Sequence, residues 1–185
     1  MTRQPQLQTE RLLLRRWRPT DLEPFAAMNA DAAVMEHFPA PLSAEQSDAL
    51  VQRIERCFEE RGYGLWAVEV LDEGAFAGFV GLEPVVDELL PFAPAVELGW
   101  RLAQPFWGRG IASEAASAAV ALAFEELALT DLVSYTAAIN VRSRRVMERL
   151  GMCRDPAEDF VHPGLPARHP LAPHVLYRLD AHARR

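Results

Sequence analysis

The fold of this chain is decided by one stretch, Gln104-Pro105-Phe106-Trp107-Gly108-Arg109-Gly110-Ile111-Ala112-Ser113-Glu114-Ala115. An apolar, strand-like run, Val96 to Leu102, precedes it, and an Ala-rich helical pattern follows it, so its glycines fall on a strand-to-helix turn. Backbone N–H groups at such a turn can point at one anion, and the helix dipole strengthens that field. Gly108 and Gly110 lack Cβ, so the backbone can bend sharply and approach phosphate oxygens. The stretch therefore predicts a pyrophosphate-binding turn, or else a turn that only joins strand to helix.

Two other phosphate-binding motifs fit these residues poorly. A P-loop ends in Gly-Lys-Ser or Gly-Lys-Thr, whereas all 19 basic residues of the chain are arginine. A dinucleotide fingerprint needs a third Gly or Ala, where this chain has Ser113, and an acidic residue after the next strand, where it has Thr136-Ala137-Ala138. The sequence therefore argues against a P-loop enzyme and against a nicotinamide-dependent oxidoreductase.

Length and composition suit one soluble globular domain over residues 1–185. Half of the 185 residues are hydrophobic and the formal net charge is −7, which disfavours nonspecific nucleic-acid binding and favours cationic substrates such as amines. The two cysteines, Cys57 and Cys153, have neither metal nor redox spacing. No apolar run is long enough to span a bilayer, and the N-terminus lacks a signal-peptide core. We therefore expect a cytoplasmic protein that binds neither nucleic acid nor membrane.

A second stretch follows the next predicted strand: Asn140-Val141-Arg142-Ser143-Arg144-Arg145-Val146-Met147-Glu148-Arg149-Leu150-Gly151-Met152. With Trp107 to Ala115 and Phe124-Glu125, it resembles the GNAT superfamily of N-acetyltransferases. More narrowly, it resembles the branch that acetylates N-terminal amines of ribosomal proteins and related small-molecule amines. Thr9 to Arg15 is similar to the first strand of that branch, so the resemblance covers nearly the whole chain. Trp107 stands where the superfamily pattern has Gln or Arg.

Periodicity and the resemblance together predict the elements. Hydrophobic patterns indicate helices near residues 20–30, 43–60, 111–127 and 140–150, the second of which begins with a Ser43/Gln46 capping box. They indicate strands near residues 12–16, 63–70, 75–83, 96–102 and 132–137, with two more in the tail, the last near 174–179. The resemblance implies an α+β fold with a mixed, mostly antiparallel sheet of six to seven strands. That sheet would be splayed between its fourth and fifth strands and flanked by about four helices.

The resemblance also implies the cosubstrate, acetyl-CoA, and the residues that bind it. The backbone of Trp100 and Leu102 would pair with the pantetheine arm like an added strand. The pyrophosphate would lie on Trp107, Gly108, Arg109, Gly110, Ile111, Ala112 and Ser113. The Asn140 amide would contact pantetheine and Arg145 the adenosine-side phosphates. Asn140 could instead be only a helix cap, an alternative that we favour less.

Acetyl transfer to an amine needs a base for the ammonium, a donor for the carbonyl oxyanion and an acid for the thiolate. By resemblance, Ser143 lies near the thioester sulfur and is the expected acid, with an N–H near Trp100 as the oxyanion donor. Glu97 and Asp159 are the leading bases, and Glu158 and His162 remain alternatives. Glu114 is expected to support the helix terminus rather than to act as a base.

The sequence leaves several alternatives open. The acceptor could be a protein N-terminal amine, a polyamine, an aminoglycoside or an amino acid, and the protein could be a monomer or a homodimer. Instead of an enzyme it could be an acyl-CoA-binding sensor or assembly module without turnover. The apolar run Leu89-Leu90-Pro91-Phe92 could form a lid, an interface or a loop packed on its own domain, which we favour. The tail histidines His162, His169 and His174 are expected to be surface or hydrogen-bonding residues, with no metal site.

Overall fold

A computed structural model of the chain describes residues 6–181. Within that range it has four α-helices: α1 (Leu22–Ala30), α2 (Ala44–Arg61), α3 (Ile111–Glu125) and α4 (Val141–Arg149). Its nine strands are β1 (Leu7–Gln8), β2 (Leu12–Arg15), β3 (Leu65–Val70), β4 (Ala75–Val85), β5 (Ala95–Leu102), β6 (Asp131–Ala137), β7 (Cys153–Arg154), β8 (Phe160–Val161) and β9 (Pro173–Asp180).

The strands form one mixed sheet in the order β1-β2-β3-β4-β5-β6-β9-β7, with β8 paired to β9. All pairs are antiparallel except β5 with β6, and within residues 6–181 that parallel pair has a single register position, Glu97 opposite Val133. The predicted splay is therefore confirmed, because the two strands separate beyond this point. The sheet has nine described strands rather than the six to seven predicted. Strand β1 was not predicted, and the tail has three strands, β7, β8 and β9, where two were predicted. Strands β1, β7 and β8 are each two residues long and too short to leave a periodic pattern.

Helix α2 confirms the predicted capping box. The Ser43 side chain accepts a hydrogen bond from the Gln46 N–H at 3.2 Å, and Gln46 Oε1 accepts from the Ser43 N–H at 2.8 Å. The helix ends at Gly62, whose φ of 78° is in the left-handed region that favours glycine. These local signals fix where α2 begins and ends.

Small side chains bring α3 close to the sheet. Ala115, Ala116, Ala119 and Ala123 are completely buried, and the helix contacts β4 and β5. The main hydrophobic core extends from Leu12 on β2 to Leu179 on β9, so both sides of the splay share one core.

The loop between β4 and β5 packs on the sheet, as favoured from the sequence. Leu90 and Phe92 are buried in a second cluster with Val133 and Leu176, whereas Leu89 is exposed. Within residues 6–181, no helix has the length and apolar character needed to cross a membrane.

Gly78 on β4 allows close backbone packing against β5. The register between β3 and β4 shifts at Val68 and Glu69, opposite this position. A Cβ on Gly78 would lie 2.1 Å from the Arg101 carbonyl oxygen, a distance that backbone cannot accommodate. The missing side chain of Gly78 thus allows the β4 backbone to lie directly against Arg101 and Leu102 of β5.

Candidate active site

A cavity of about 610 Å³ opens where β5 and β6 diverge. One end lies between the turn before α3 and the start of α4, and we call it the cradle end. The other end lies under α2 and the loop of residues 31–43, and we call it the acceptor end. Glu97 and Trp100, both on β5, line this continuous space.

The structure brings most of the sequence-predicted cosubstrate residues to this cavity. Those that line it are Trp100, Leu102, Trp107, Gly108, Gly110, Ile111, Ala112, Ser113, Asn140, Ser143 and Arg145. Arg109 is not among the lining residues. Its guanidinium is ion-paired with Glu73 and lies over the Phe106 ring, 5.4 Å from the centroid. The side chain of Arg109 is therefore turned away from the predicted phosphate position.

The turn before α3 presents free backbone donors. Gly108 and Gly110 have φ of 72° and 80°, in the left-handed region that favours glycine. Gly110 is the N-cap of α3 and has no side chain to accept the helix's first N–H groups. An anion at this point would satisfy those donors and interact favourably with the helix dipole.

Thr9 and Arg11, between the paired strands β1 and β2, hold the start of α3 through Glu114, and we call these three residues the clamp. The Glu114 carboxylate accepts hydrogen bonds from Thr9 Oγ1 at 2.5 Å and from Arg11 Nε at 2.7 Å. Arg11 Nη1 also donates to the carbonyl of Arg109 at 3.1 Å, within the turn itself. Glu114 thus supports the helix terminus, as expected. The sequence did not reveal Arg11, because its partner lies 103 residues away.

The edge of β5 that faces β6 has backbone N–H and C=O groups that, in the described part of the chain, are not paired with β6 beyond Glu97. The Ala103 N–H donates to the Ala77 carbonyl on the β4 side. Because hydrogen-bonding groups alternate along a strand, those of Trp100 and Leu102 point toward β6. The Leu102 carbonyl accepts from Trp107 Nε1 at 2.8 Å. Trp100 therefore has the more available backbone for an extended ligand.

Helix α4 carries the two polar residues that the resemblance singled out. Asn140 is its N-cap: Oδ1 accepts from the Ser143 N–H at 3.2 Å, and Nδ2 donates to Thr136 Oγ1 at 2.9 Å. The cap interpretation of Asn140 is therefore correct, whatever else its amide contacts. Ser143 Oγ accepts from the Trp100 indole N–H at 3.0 Å, which leaves the hydroxyl proton of Ser143 free to be donated.

Glu97 is the carboxyl group at the centre of the cavity. Burial raises its pKa to about 8, the nearby charge of Glu83 adds to the rise, and a hydrogen bond with the Tyr135 hydroxyl opposes it. Glu83 lies directly opposite Glu97 on the neighbouring strand β4. A carboxyl group that holds its proton near neutral pH is suited to proton transfer.

The tail carboxylates lie elsewhere. Asp159 is not among the lining residues. Its Oδ1 accepts from Arg154 Nε at 2.9 Å, and this interaction lowers the pKa of Asp159. Glu158 is paired with Arg178 at 2.7 Å. Both carboxylates are therefore engaged in ion pairs and neither lines the cavity, which leaves Glu97 as the better placed of the two leading base candidates.

His162 and His174 line the cavity, with ring centroids 4.8 Å apart. His174 is buried and burial lowers its pKa. His162 Nδ1 accepts from the Gly164 N–H at 3.1 Å. In the part of the chain that the structure describes, no group of three His, Cys, Asp or Glu residues could hold a metal ion.

The acceptor end contains charged residues that motif reasoning missed. Arg53 on α2 pairs with Glu83 at 3.2 Å, and Arg101 on β5 lies over the Phe38 ring at 4.1 Å from its centroid. The available signal was the strand period of two, which puts Glu97 and Arg101 on the same face of β5.

Known proteins are similar to this chain in sequence and in fold. A family model described as an acetyltransferase (GNAT) domain matches residues 11–153. FsC-acetyl coenzyme A-N(2)-transacetylase from Aspergillus fumigatus is 38% identical over 94 residues, which make up 49% of this chain and 39% of that protein. The match therefore spans well under half of the relative's length.

Solved structures agree over nearly the whole chain. The crystal structure of an acetyltransferase from Agrobacterium tumefaciens is 30% identical, with a TM-score of 0.77 over 95% of this chain and 94% of that one. The ribosomal-protein-S5-alanine acetyltransferase from Vibrio fischeri shares the fold at 16% identity, with a TM-score of 0.75 over 96% and 97% of the two chains. The resemblance inferred from the sequence is confirmed, and the chain belongs to the acetyltransferase (GNAT) family.

Proposed function

We propose that this protein is an N-acetyltransferase that moves an acetyl group from acetyl-CoA directly to a primary amine. The observation that carries the proposal is the connection, within one cavity, of the uncapped start of α3 with the carboxyl group of Glu97, whose pKa is raised to about 8. The name of the Aspergillus fumigatus relative, an acetyl coenzyme A N(2)-transacetylase, supports nitrogen as the acceptor atom. Because acetyl-CoA is a metabolite of the cell interior, the proposal places the protein in the cytoplasm.

In this proposal the cradle end holds the cosubstrate. Backbone N–H groups from Gly108 to Ser113 bind the pyrophosphate, and Arg145 binds the adenosine-side phosphates. The backbone of Trp100 pairs with the pantetheine arm and donates to the thioester carbonyl, where negative charge develops. These contacts would set the thioester beside the face of β5 that carries Glu97.

Glu97 and Ser143 then move the protons. Glu97 accepts a proton from the ammonium group of the acceptor, since only the neutral amine is nucleophilic. Ser143 donates its hydroxyl proton to the departing thiolate, because its Oγ already accepts from Trp100 and its own proton is free. No protein nucleophile is required for direct attack, so neither cysteine is assigned a role.

Isothermal titration with acetyl-CoA tests the cradle. Any side chain at Gly110 is strained, because its φ is 80°, so two variants are needed. Gly110→Ala measures the strain alone, which costs about 1–2 kcal/mol. Gly110→Glu adds a negative charge at the pyrophosphate position. We expect Gly110→Ala to bind acetyl-CoA measurably and Gly110→Glu to lose binding, while Gly74→Ala, in a distant turn with φ of 60°, binds like the parent protein.

Equal binding by the parent and Gly110→Glu would show that the turn does not hold the pyrophosphate. Release of free CoA from acetyl-CoA in the presence of a panel of primary amines then tests turnover. Tight acetyl-CoA binding with no transfer to any amine would favour the sensor function over the enzyme.

A further inference from the structure

Arg101 lies at the acceptor end of the cavity without a carboxylate partner. Its Nη1 donates to Asn29 Oδ1 at 2.7 Å, a neutral oxygen, and its Nε is buried without a hydrogen-bond partner. No ion pair within 4.0 Å joins it to an acidic side chain anywhere in residues 6–181. Burial and the charge of Arg53 lower the pKa of Arg101 to about 10, so it stays cationic at neutral pH.

Arg15, which is buried, and Arg53, which is exposed, differ from Arg101 because each has a carboxylate partner. Arg15 is buried and donates to both Asp21, at 2.7 Å, and Glu69, at 2.7 Å. Arg53, at the mouth of the same cavity, has Glu83. Because a partly desolvated guanidinium without a counter-charge is costly, Arg101 is a place where an anion would stabilise the protein.

The Arg101 guanidinium lies over the ring of Phe38, with its Cζ 4.1 Å from the ring centroid. The edge of a guanidinium matches a planar carboxylate through two parallel hydrogen bonds. Asn29 occupies Nη1, while Nη2 has no hydrogen-bond partner among the described residues. The site is therefore open on one side of the guanidinium.

Glu97, Gly99 and Arg101 follow one another on the same face of β5, since side chains alternate along a strand. Gly99 leaves the space between the carboxyl and the guanidinium unfilled. A Cβ there would lie 3.6 Å from Glu97 Oε1 and 3.9 Å from Leu65 Cδ2, so it would meet only ordinary contacts. A small molecule could therefore span from one charged group to the other across Gly99.

From this geometry we infer that the acceptor is an amine that also carries a carboxylate, as amino acids do. Its carboxylate binds Arg101 and its amine is directed to Glu97. The inference deepens the proposed acetyltransferase function and rests on it. It also refines the expectation from net charge, because the positive group at the acceptor end selects against polyamines, which have no anion to offer.

The reaction balances with these groups. The amine nitrogen forms an amide bond with the acetyl carbon, and the thioester C–S bond breaks. The ammonium gives up two protons in total. The first passes from the ammonium to ionised Glu97 and then to solvent. Ser143 gives its hydroxyl proton to the CoA thiolate, and the second amine proton, released once the C–N bond has formed, restores the Ser143 hydroxyl through solvent.

Steady-state kinetics with matched acceptors tests the inference. Each of the common L-amino acids is compared with its amide and with the corresponding decarboxylated amine, for example leucine, leucinamide and 3-methylbutylamine. We expect one or more free amino acids to exceed their amides in kcat/KM by at least tenfold. Arg101→Gln should raise KM for those amino acids roughly 10- to 100-fold, with a smaller effect on kcat and on the amides, because it removes a charge-assisted pair.

Two controls separate charge from folding. Arg101→Lys keeps the charge and should keep part of the preference for the acid, whereas Arg56→Gln removes a positive charge from an exposed position of α2 and should change nothing. Urea unfolding shows whether Arg101→Gln is folded. Amides or decarboxylated amines that match the amino acids, or an equal loss on acids and amides in Arg101→Gln, would overturn the inference.

Failure of the proposed function has a different signature. If acetyl-CoA binds but no amine is acetylated, the enzyme proposal fails. Titration of amino acids and their amides into the CoA-saturated protein then decides the inference by itself. Binding of the acids that Arg101→Gln abolishes would support the carboxylate site, and absence of binding would overturn it.

Discussion

Glu97 is a carboxyl group that its surroundings keep protonated at neutral pH. Burial, and then the charge of Glu83, raises its pKa to about 8. A general base must be ionised to accept a proton, so kcat/KM should rise with pH up to about 8 and then level off. Glu97→Gln should lower kcat/KM about 100-fold or more and remove this rise. The measurement is a pH profile of acetyl transfer.

Two variants make that profile diagnostic. Glu83→Gln removes the like charge opposite Glu97 on β4, so the rise should move to lower pH while activity is retained. Asp159→Asn removes a carboxylate already paired with Arg154 and should leave the rise in place. A rise that persists in Glu97→Gln would assign the proton transfer to another group.

In the proposed function the element that binds the pyrophosphate is the start of α3, which the clamp of Thr9, Arg11 and Glu114 holds. Burial of the Glu114 carboxylate raises its pKa, but the hydrogen bonds from Thr9 and Arg11 outweigh burial, so the folded pKa is lower than the model-peptide value. The stabilisation is therefore present above the unfolded pKa and is lost as the pH falls through the folded one. Glu114→Gln should reduce the free energy of unfolding by about 1–2 kcal/mol at neutral pH.

Urea unfolding at neutral and acidic pH measures this effect, and the difference between Glu114→Gln and the parent should shrink in acid. Glu125→Gln, at the exposed C-terminal end of the same helix, is the matched control and should be neutral or slightly stabilising, because a carboxylate there opposes the helix dipole. An equal loss of stability from both variants would show that the clamp has no special role.

At the scale of the whole molecule, the sheet is joined across the splay by one parallel register position and by the shared core. Acetyl-CoA bound between β5 and β6 would bridge both sides and bind only the folded chain. At 100 times its Kd it should add about 2.7 kcal/mol to the free energy of unfolding, which corresponds to a rise in Tm of roughly 5–10 °C in a chain of this size. Thermal unfolding should remain one transition, and Gly110→Glu should show no rise. Two separate transitions would mean that the core does not couple the two sides.

Most of the fold was predictable because its signals are local. The Ser43/Gln46 cap, the glycine at the end of α2 and the strand–turn–helix around Gly108 and Gly110 depend on neighbours within a few residues. Strand β1 and one of the two short tail strands, β7 and β8, were not predicted, because two residues pair only when a longer strand is already beside them.

The site was predictable only in part. The sequence motif indicated residues from Trp107 to Ser113 and Asn140 to Arg145, which are contiguous in the chain. Ion pairs between residues far apart in the chain produce no sequence motif, so the sequence could not distinguish Asp159 from Glu97 as the candidate base. The ion pair with Arg154 and the burial of Glu97 separate them only after folding.

The sequence by itself determined the family, the order of the long elements and the position of the glycine turn before α3, because each depends on short-range patterns. Tertiary structure alone decided which charged side chains have an oppositely charged partner and which do not. Glu83 and Glu97 meet because β4 and β5 are in register, and Arg101 is without a counter-ion because the fold brings Asn29 and Phe38, rather than a carboxylate, to its side. Burial and charge pairing depend on the whole three-dimensional environment, and that environment sets both the proton affinity of Glu97 and the ligand that Arg101 can accept.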